Sequence, residues 1–173
     1  LCAVAFLILI QFNFFTILLG VGSMVLAFSY PFMKRITYWP QLFLGITFNW
    51  GIVMAWAAFN NTISTEIIML YISAIFWTLG YDTIYWIQDM SDDESIGVKS
   101  TAIKFKKNIK LFVLISYSIT SLILINLFKN SFGLNIFSFF LIFYFFSLAY
   151  QLLKFEKSKP KLCLKMFKFN NYS

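Results

Sequence analysis

Apolar residues fill long blocks of the chain, and polar residues gather in the short intervals between them. Six blocks stand out, over residues 1–11, 14–33, 39–59, 67–88, 111–128 and 134–153. The first is too short to span a bilayer. Each of the other five has roughly 18 to 22 residues, which at about 1.5 Å per residue crosses a hydrocarbon core of about 30 Å. The breakers between them are brief: Pro40 opens the third block, Asn60, Asn61 and Thr62 close it, and Lys129, Asn130 and Ser131 turn the fifth into the sixth. The pattern predicts an all-α, polytopic transmembrane helical bundle with no soluble domain, no tandem repeat and no low-complexity linker. The opening "LCAVAFLILI" has no Met and no basic flank, so it reads as the interior of a membrane helix and not as a secretory signal peptide. We therefore expect the chain to be an internal fragment of a longer protein.

Composition removes the soluble alternatives. Of 173 residues, 60% are hydrophobic and 12% charged, with 23 Phe, and the mean hydropathy is +0.77; this is the balance of a chain dissolved in lipid. Cys2 and Cys163 lie far apart without a CxxC or Cys/His pattern, which suggests neither a disulfide framework nor a zinc site. No His is present, so metal chemistry would fall to oxygen ligands, and magnesium or calcium comes before zinc or iron.

Charge orients the bundle. The loops after the second, fourth and sixth blocks share one side and hold every Lys and Arg of the 14 except Lys129. By the positive-inside bias that side is cytoplasmic, in an inner (cytoplasmic) membrane. Topology thus accounts for the net charge of +7, and no nucleic-acid partner is implied. The basic, amphipathic "KLCLKMFKF" reads as an interfacial segment at the lipid surface.

Two polar constellations fall on this face. The stretch "YDTIYWIQDMSDDES" at the end of the fourth block carries Asp82, Asp89, Asp92, Asp93 and Glu94, five of the seven acidic residues. On a helix continuing through it, Asp82, Asp89 and Asp93 fall at about 0°, −20° and +20°, one narrow stripe, with Tyr85 about 60° to one side. Stacked like charges repel, and an Asp at the edge of an apolar span is unfavourable. A divalent cation among the oxygens would account for both. The bland alternative stands beside it: a DxxxD spacing arises often by chance, membrane helices often end in charge, and Asp92 and Glu94 look solvated. The second constellation is "YPFMKR", where Tyr30 and Lys34 share a helix face, although Pro31 can bend the turn between them. Here the alternative is stronger, because Lys34 and Arg35 can simply snorkel and Tyr30 can belong to the aromatic belt. Acidic and cationic groups at one rim of an apolar bundle describe a diphosphate clamp for a substrate with a long hydrocarbon tail.

These residues also resemble the UbiA superfamily of intramembrane prenyltransferases, most of all its 4-hydroxybenzoate branch in ubiquinone synthesis. The likeness is carried by "YPFMKRITYWPQLFLGITFNWG", "IFWTLGYDTIYWIQDMSDDESIGVKSTAIKF" and "CLKMFKFNN". It implies a nine-helix fold, of which residues 1–173 would supply about six, from the third helix to the segment before the ninth. It implies Mg²⁺ as cofactor, held by Asp82, Asp89 and Asp93, with Asp89, Asp93, Lys34 and Arg35 catalytic. Tyr30, Lys34, Arg35, Tyr81, Tyr85 and Lys99 would bind substrate. The implied partners are a polyprenyl diphosphate, 4-hydroxybenzoate and membrane lipid, with no protein partner. The family's first aspartate-rich motif, of the type NDxxDxxxD, does not occur in this sequence, so we expect the chain alone to be inactive and the intact protein active. The menaquinone, haem and chlorophyll branches share aspartate-rich motifs and are the alternatives within the family. From another class, a cation transporter predicts an ionisable residue near the bilayer midplane and access from both sides; here the candidates cluster on one side.

Overall fold

The structure, a computed structural model, describes residues 2–170. Leu1, at the head of the first block, and residues 171–173, at the polar end of the tail, lie outside the described residues. The chain folds as α1 (Cys2–Leu9), α2 (Phe14–Ile36), α3 (Pro40–Phe48), α4 (Trp50–Asn60), α5 (Thr65–Tyr85), α6 (Met90–Ile96), α7 (Thr101–Lys104), α8 (Ile109–Phe128), a 3₁₀ turn (Lys129–Ser131), α9 (Ile136–Lys154) and α10 (Pro160–Phe169). No strand occurs among the described residues. Among the described residues, five spans are long and apolar enough to cross a membrane: α2, α3 with α4, α5, α8 with its 3₁₀ turn, and α9. Short polar residues start three of them. Asn13, Ser64 and Asn135 each accept a hydrogen bond from a backbone N–H in the first turn that follows. Asn61 ends α4 at φ 53°, a left-handed cap that asparagine tolerates, and its N–H donates to the carbonyl of Ala57.

Two of the expected spans are interrupted. The third breaks at Asn49, whose side-chain amide donates to the carbonyl of Gly45 at 2.8 Å, to that of Ala74 at 3.3 Å and to the hydroxyl of Thr78 at 2.9 Å. The fourth ends at Tyr85 and not at residue 88. Ile87 and Gln88 donate to the carbonyls of Ile84 and Tyr85 in tight i→i+3 turns before α6 begins. The continuous helix assumed for the carboxylate stripe is therefore broken between Asp82 and Asp89.

Helix α5 is the axis of the bundle and packs on α8, α3, α4 and α10. Gly45 lets α3 approach it, since a Cβ there would lie 3.0 Å from the Ile75 carbonyl oxygen. Gly80 lies against the Tyr117 ring of α8, where a Cβ would come within 2.3 Å of a ring carbon. Below the acidic turn, Ile84, Ile87, Met90, Val113, Leu148 and Phe155 form one buried cluster. Phe28, Phe59, Phe139 and Phe146 are exposed on the surface of the bundle. Helix α10 departs from a free interfacial segment. Cys163 and Met166 are buried in the protein while Lys161, Lys165 and Lys168 stay exposed, because its apolar face finds protein side chains to cover it.

Candidate functional site

The site is built where α2 and α5 end on the same side. Lys34 and Arg35 occupy the last turn of α2, where cations are favoured by the unpaired carbonyls of a helix C-terminus. Pro31 lies within α2 without interrupting it. One turn further on, the Lys34 ammonium rests over the Trp86 ring, 4.2 Å from its centroid. From there it is in electrostatic reach of two carboxylates, Asp82 and Asp93. Tyr30, a turn back along α2, faces Asp82 as well. The Trp86 indole is in hydrogen-bonding reach of the Asp82 carboxylate.

Asp93 reaches this place through the local fold. Asp89 caps α6, and its carbonyl accepts from the N–H of Asp93 at 2.9 Å. Gly97 then ends α6 at φ 74°, a left-handed conformation that glycine adopts without a steric penalty. This turn sends the chain back across α2, where the N–H of Lys99 donates to the carbonyl of Lys34 at 2.9 Å. Two residues on, the N–H of Thr101 donates to the Oε1 of buried Gln41 at 3.0 Å, and the hydroxyls of Thr101 and Thr83 meet at 2.6 Å. The loop between α5 and α8 is thus fastened to α2, α3 and α5 in three consecutive steps.

Asp82 and Asp93 are only 6% and 8% exposed. Each has one buried carboxylate oxygen, Oδ2, without a hydrogen-bond partner among the described residues. Burial, together with the neighbouring Asp89 and Asp92 charges, raises the pKa of Asp93 despite the opposing Lys34 ammonium. Two orphaned, buried oxygens are out of place in a finished core, where such groups are nearly always satisfied. They fit a hard divalent cation, which takes oxygen ligands. No group of three Asp, Glu, His or Cys residues is assembled as a metal cage among the described residues.

The other expected residues fall as follows. Asp89 is half-buried and adjoins Asp93; Asp92 and Glu94 are exposed, and Glu94 pairs with Lys106 at 2.6 Å. Arg35 is exposed. The Lys99 ammonium donates to the carbonyl of Ile36 at 3.2 Å. Tyr81 and Tyr85 bracket Asp82 and lie against Phe167 of α10, with ring centroids 5.7 and 4.6 Å away. The structure therefore brings together Tyr30, Lys34, Asp82 and Asp93, and leaves Arg35 and Lys99 at the rim. Trp86 and Gln41 belong to the site or its support and were not among the expected residues. A Gln inside an apolar block was the available signal for Gln41; nothing in the spacing marked Trp86.

The site is thus a buried pair of carboxylates at one end of a bundle of membrane-length helices. The structure superposes on the apo structure of a UbiA homolog from Aeropyrum pernix K1 with a TM-score of 0.79, covering 97% of this chain and 63% of that one at 22% identity, a likeness of fold. The chain belongs to the UbiA prenyltransferase family, whose model matches residues 1–172. It is similar to the mitochondrial 4-hydroxybenzoate polyprenyltransferases of Arabidopsis thaliana, with 51% identity over 107 residues, and of Homo sapiens, with 50% over 104 residues; these matches cover 61% and 60% of this chain but 26% and 28% of those proteins. A 4-hydroxybenzoate octaprenyltransferase of Psychromonas ingrahamii is 40% identical across 99% of this chain, which spans 60% of that protein.

Proposed function

We propose that this chain forms the central helices and one half of the diphosphate site of an enzyme that transfers a polyprenyl group from its diphosphate to the ring of 4-hydroxybenzoate, as in ubiquinone synthesis. One observation carries the reading: Asp82 and Asp93 each keep a buried oxygen without a hydrogen-bond partner, and both carboxyls lie within electrostatic reach of the same cation, Lys34, at the polar end of an apolar bundle. The names of the relatives support the choice of acceptor.

In the reaction the carbon–oxygen bond to diphosphate breaks, a carbon–carbon bond forms to the ring position ortho to the phenol, and that carbon loses its proton. Asp82, Asp89 and Asp93 are the residues that would hold Mg²⁺, which supplies neutralisation of the charge gathering on the diphosphate. The chain's own part is binding and orientation. Lys34 leaves the face of Trp86 to meet phosphate oxygens, and Arg35 and Lys99 stand at the rim to do the same. Tyr30, Tyr81 and Tyr85 close the polar end around the head group, while the apolar helices take the tail. The tyrosine rings shield the reacting carbon from water and offer π faces to developing positive charge. We place the protein in an inner membrane with its basic end, and this site, toward the cytoplasm.

The test uses membranes holding the full-length protein, 4-hydroxybenzoate and a radiolabelled polyprenyl diphosphate. Labelled product is expected, lost on adding EDTA and restored by Mg²⁺. Asp93→Asn is expected to lower kcat about 100-fold to 1000-fold, the range for removing one fixed electrostatic stabiliser. Transfer that persists in EDTA, or an Asp93→Asn enzyme with unchanged rates, overturns the assignment. Transfer to a different aromatic acceptor moves the protein to another branch of the family.

A further inference from the structure

Two buried polar side chains and a half-buried one, away from the carboxylates, form a directed chain. Tyr117 of α8 donates its hydroxyl to Oε1 of Gln151 at 2.8 Å. Nε2 of Gln151, on α9, donates to Oδ1 of Asn170 at 2.9 Å. Nδ2 of Asn170 donates to the carbonyl of Phe167 at 2.9 Å, in the last turn of α10. The polarity of the whole chain follows from its last link. A backbone carbonyl only accepts, so the Asn170 amide must turn its nitrogen toward Phe167 and its oxygen toward Gln151. Gln151 must then present its nitrogen to Asn170 and its oxygen to Tyr117, which is left as donor. Gln151 is fully buried and Tyr117 nearly so, where each such bond is expensive to leave unmade.

Both ends of this chain return to the same turn of α5. At one end the Tyr117 ring is pressed against Gly80, close enough that even a methyl group there would collide with it. At the other, the Phe167 ring lies on Tyr81 and Tyr85. The contacts therefore close into a ring, from Gly80 through Tyr117, Gln151, Asn170 and Phe167 back to Tyr81 and Tyr85. The segment it encloses carries Asp82.

We propose that Gln151 and Asn170 are positioning residues for the diphosphate site: acting through Phe167, they hold the Tyr81–Tyr85 turn of α5 in the geometry that receives the head group. This rests on the reading of that site given above. The hydrogen bonds fix the angle at which the last turn of α10 meets α5, and Phe167 converts that angle into a fixed place for the two tyrosines. A loosened α10 would leave Asp82 where it is in sequence but no longer where the head group needs it.

Asn170→Asp keeps the shape and replaces the donor facing the Phe167 carbonyl by an acceptor; Tyr117→Phe removes one hydroxyl and is the milder variant should the first fail to fold. In full-length protein in membranes, Asn170→Asp is expected to raise KM for the polyprenyl diphosphate about 10-fold to 100-fold, as for other groups that orient ligands from behind, with KM for the aromatic acceptor unchanged. Tyr117→Phe is expected to do the same to a smaller degree. Introduced into a Phe167→Ala background, Asn170→Asp is expected to add nothing, because both act through one contact. Additive effects, or equal changes in both KM values, overturn the proposal. Hydrogen exchange at the backbone amides of residues 80–86 provides a readout independent of transfer: it is expected to speed up in Asn170→Asp, and unchanged exchange also overturns the proposal. If the wild-type protein transfers no prenyl group while Asn170→Asp still speeds exchange at residues 80–86, the proposed function is refuted and the ring of contacts stands.

Discussion

At the end of the bundle that carries Asp82 and Asp93, helices are joined by side chains reaching across one another; at the far end they are joined by short turns. The polar end has the Lys99–Lys34 backbone bond, the Gln41 and Thr83 bonds to Thr101, the Glu94–Lys106 pair and the Lys157 ammonium on the carbonyl of Lys106. The far end relies on the compact turns after α4 and α8 and on Asn13, whose amide donates to the carbonyls of Ala57 and Ala58. The helices differ in the same way. Half of the apolar stretch of α5, which carries Asp82, is buried in the protein, against 11% of that of α2. Within this chain α5 is gripped along half of its apolar stretch, while α2 is held mainly at its ends, by Asn13 at one and by Lys34 over Trp86 at the other.

This contrast can be broken from the site end first. Gly80→Ala drives a methyl group into the Tyr117 ring and is expected to cost about 1–3 kcal/mol as an overpacked contact, read as a lower melting temperature in detergent together with a higher KM for the diphosphate. Gly97→Val forces a β-branched side chain to φ 74° and is expected to cost about 1–2 kcal/mol. Because Gly97 aims the chain at Lys34, its loss should weaken diphosphate binding more than it lowers the melting temperature. At the far end Asn13→Ala removes a helix cap and two interhelix bonds. The expected loss is about 1 kcal/mol in stability, with KM for the diphosphate unmoved; a changed KM would erase the distinction between the ends. The smallest effect belongs to Glu94→Gln, which breaks an exposed ion pair worth at most about 1 kcal/mol, seen only as a slight melting shift that high salt abolishes.

The spans were legible because lipid imposes a length and an unbroken apolar surface, and both are written in single residues. Their interruptions were not. Asn49 stands out in residues 39–59 as a polar residue in an apolar block, but the sequence does not show that the helix breaks there, since its acceptors on α5 are visible only once the helices pack. The stop at Tyr85 is likewise set by the packing of Trp86, Ile87 and Met90 into the core, a tertiary fact. Within the site, spacing found Tyr30 and Lys34 on one helix face and picked out Asp82 and Asp93. The stripe that joined the acids in sequence was drawn on a helix that does not continue; Asp93 comes within electrostatic reach of Lys34 through the Gly97 turn and the loop fastened on α2. Gln151 and Asn170 stayed hidden for a related reason: each looks like an isolated polar residue until the helices that carry their partners are brought together.

The amide of Asn49 carries a consequence for how the spans can move. It mends its own helix through Gly45 and bolts that helix to α5 through Ala74 and Thr78. In hydrocarbon no water waits to replace a lost acceptor. Sliding the third span along α5 by even one residue would strand the N–H lent to Ala74 and Thr78, while the bond to Gly45 would move with its own helix, so the seam favours one register. The seam between α3 and α5 is thereby pinned, and any tilting is left to the other seams of the bundle.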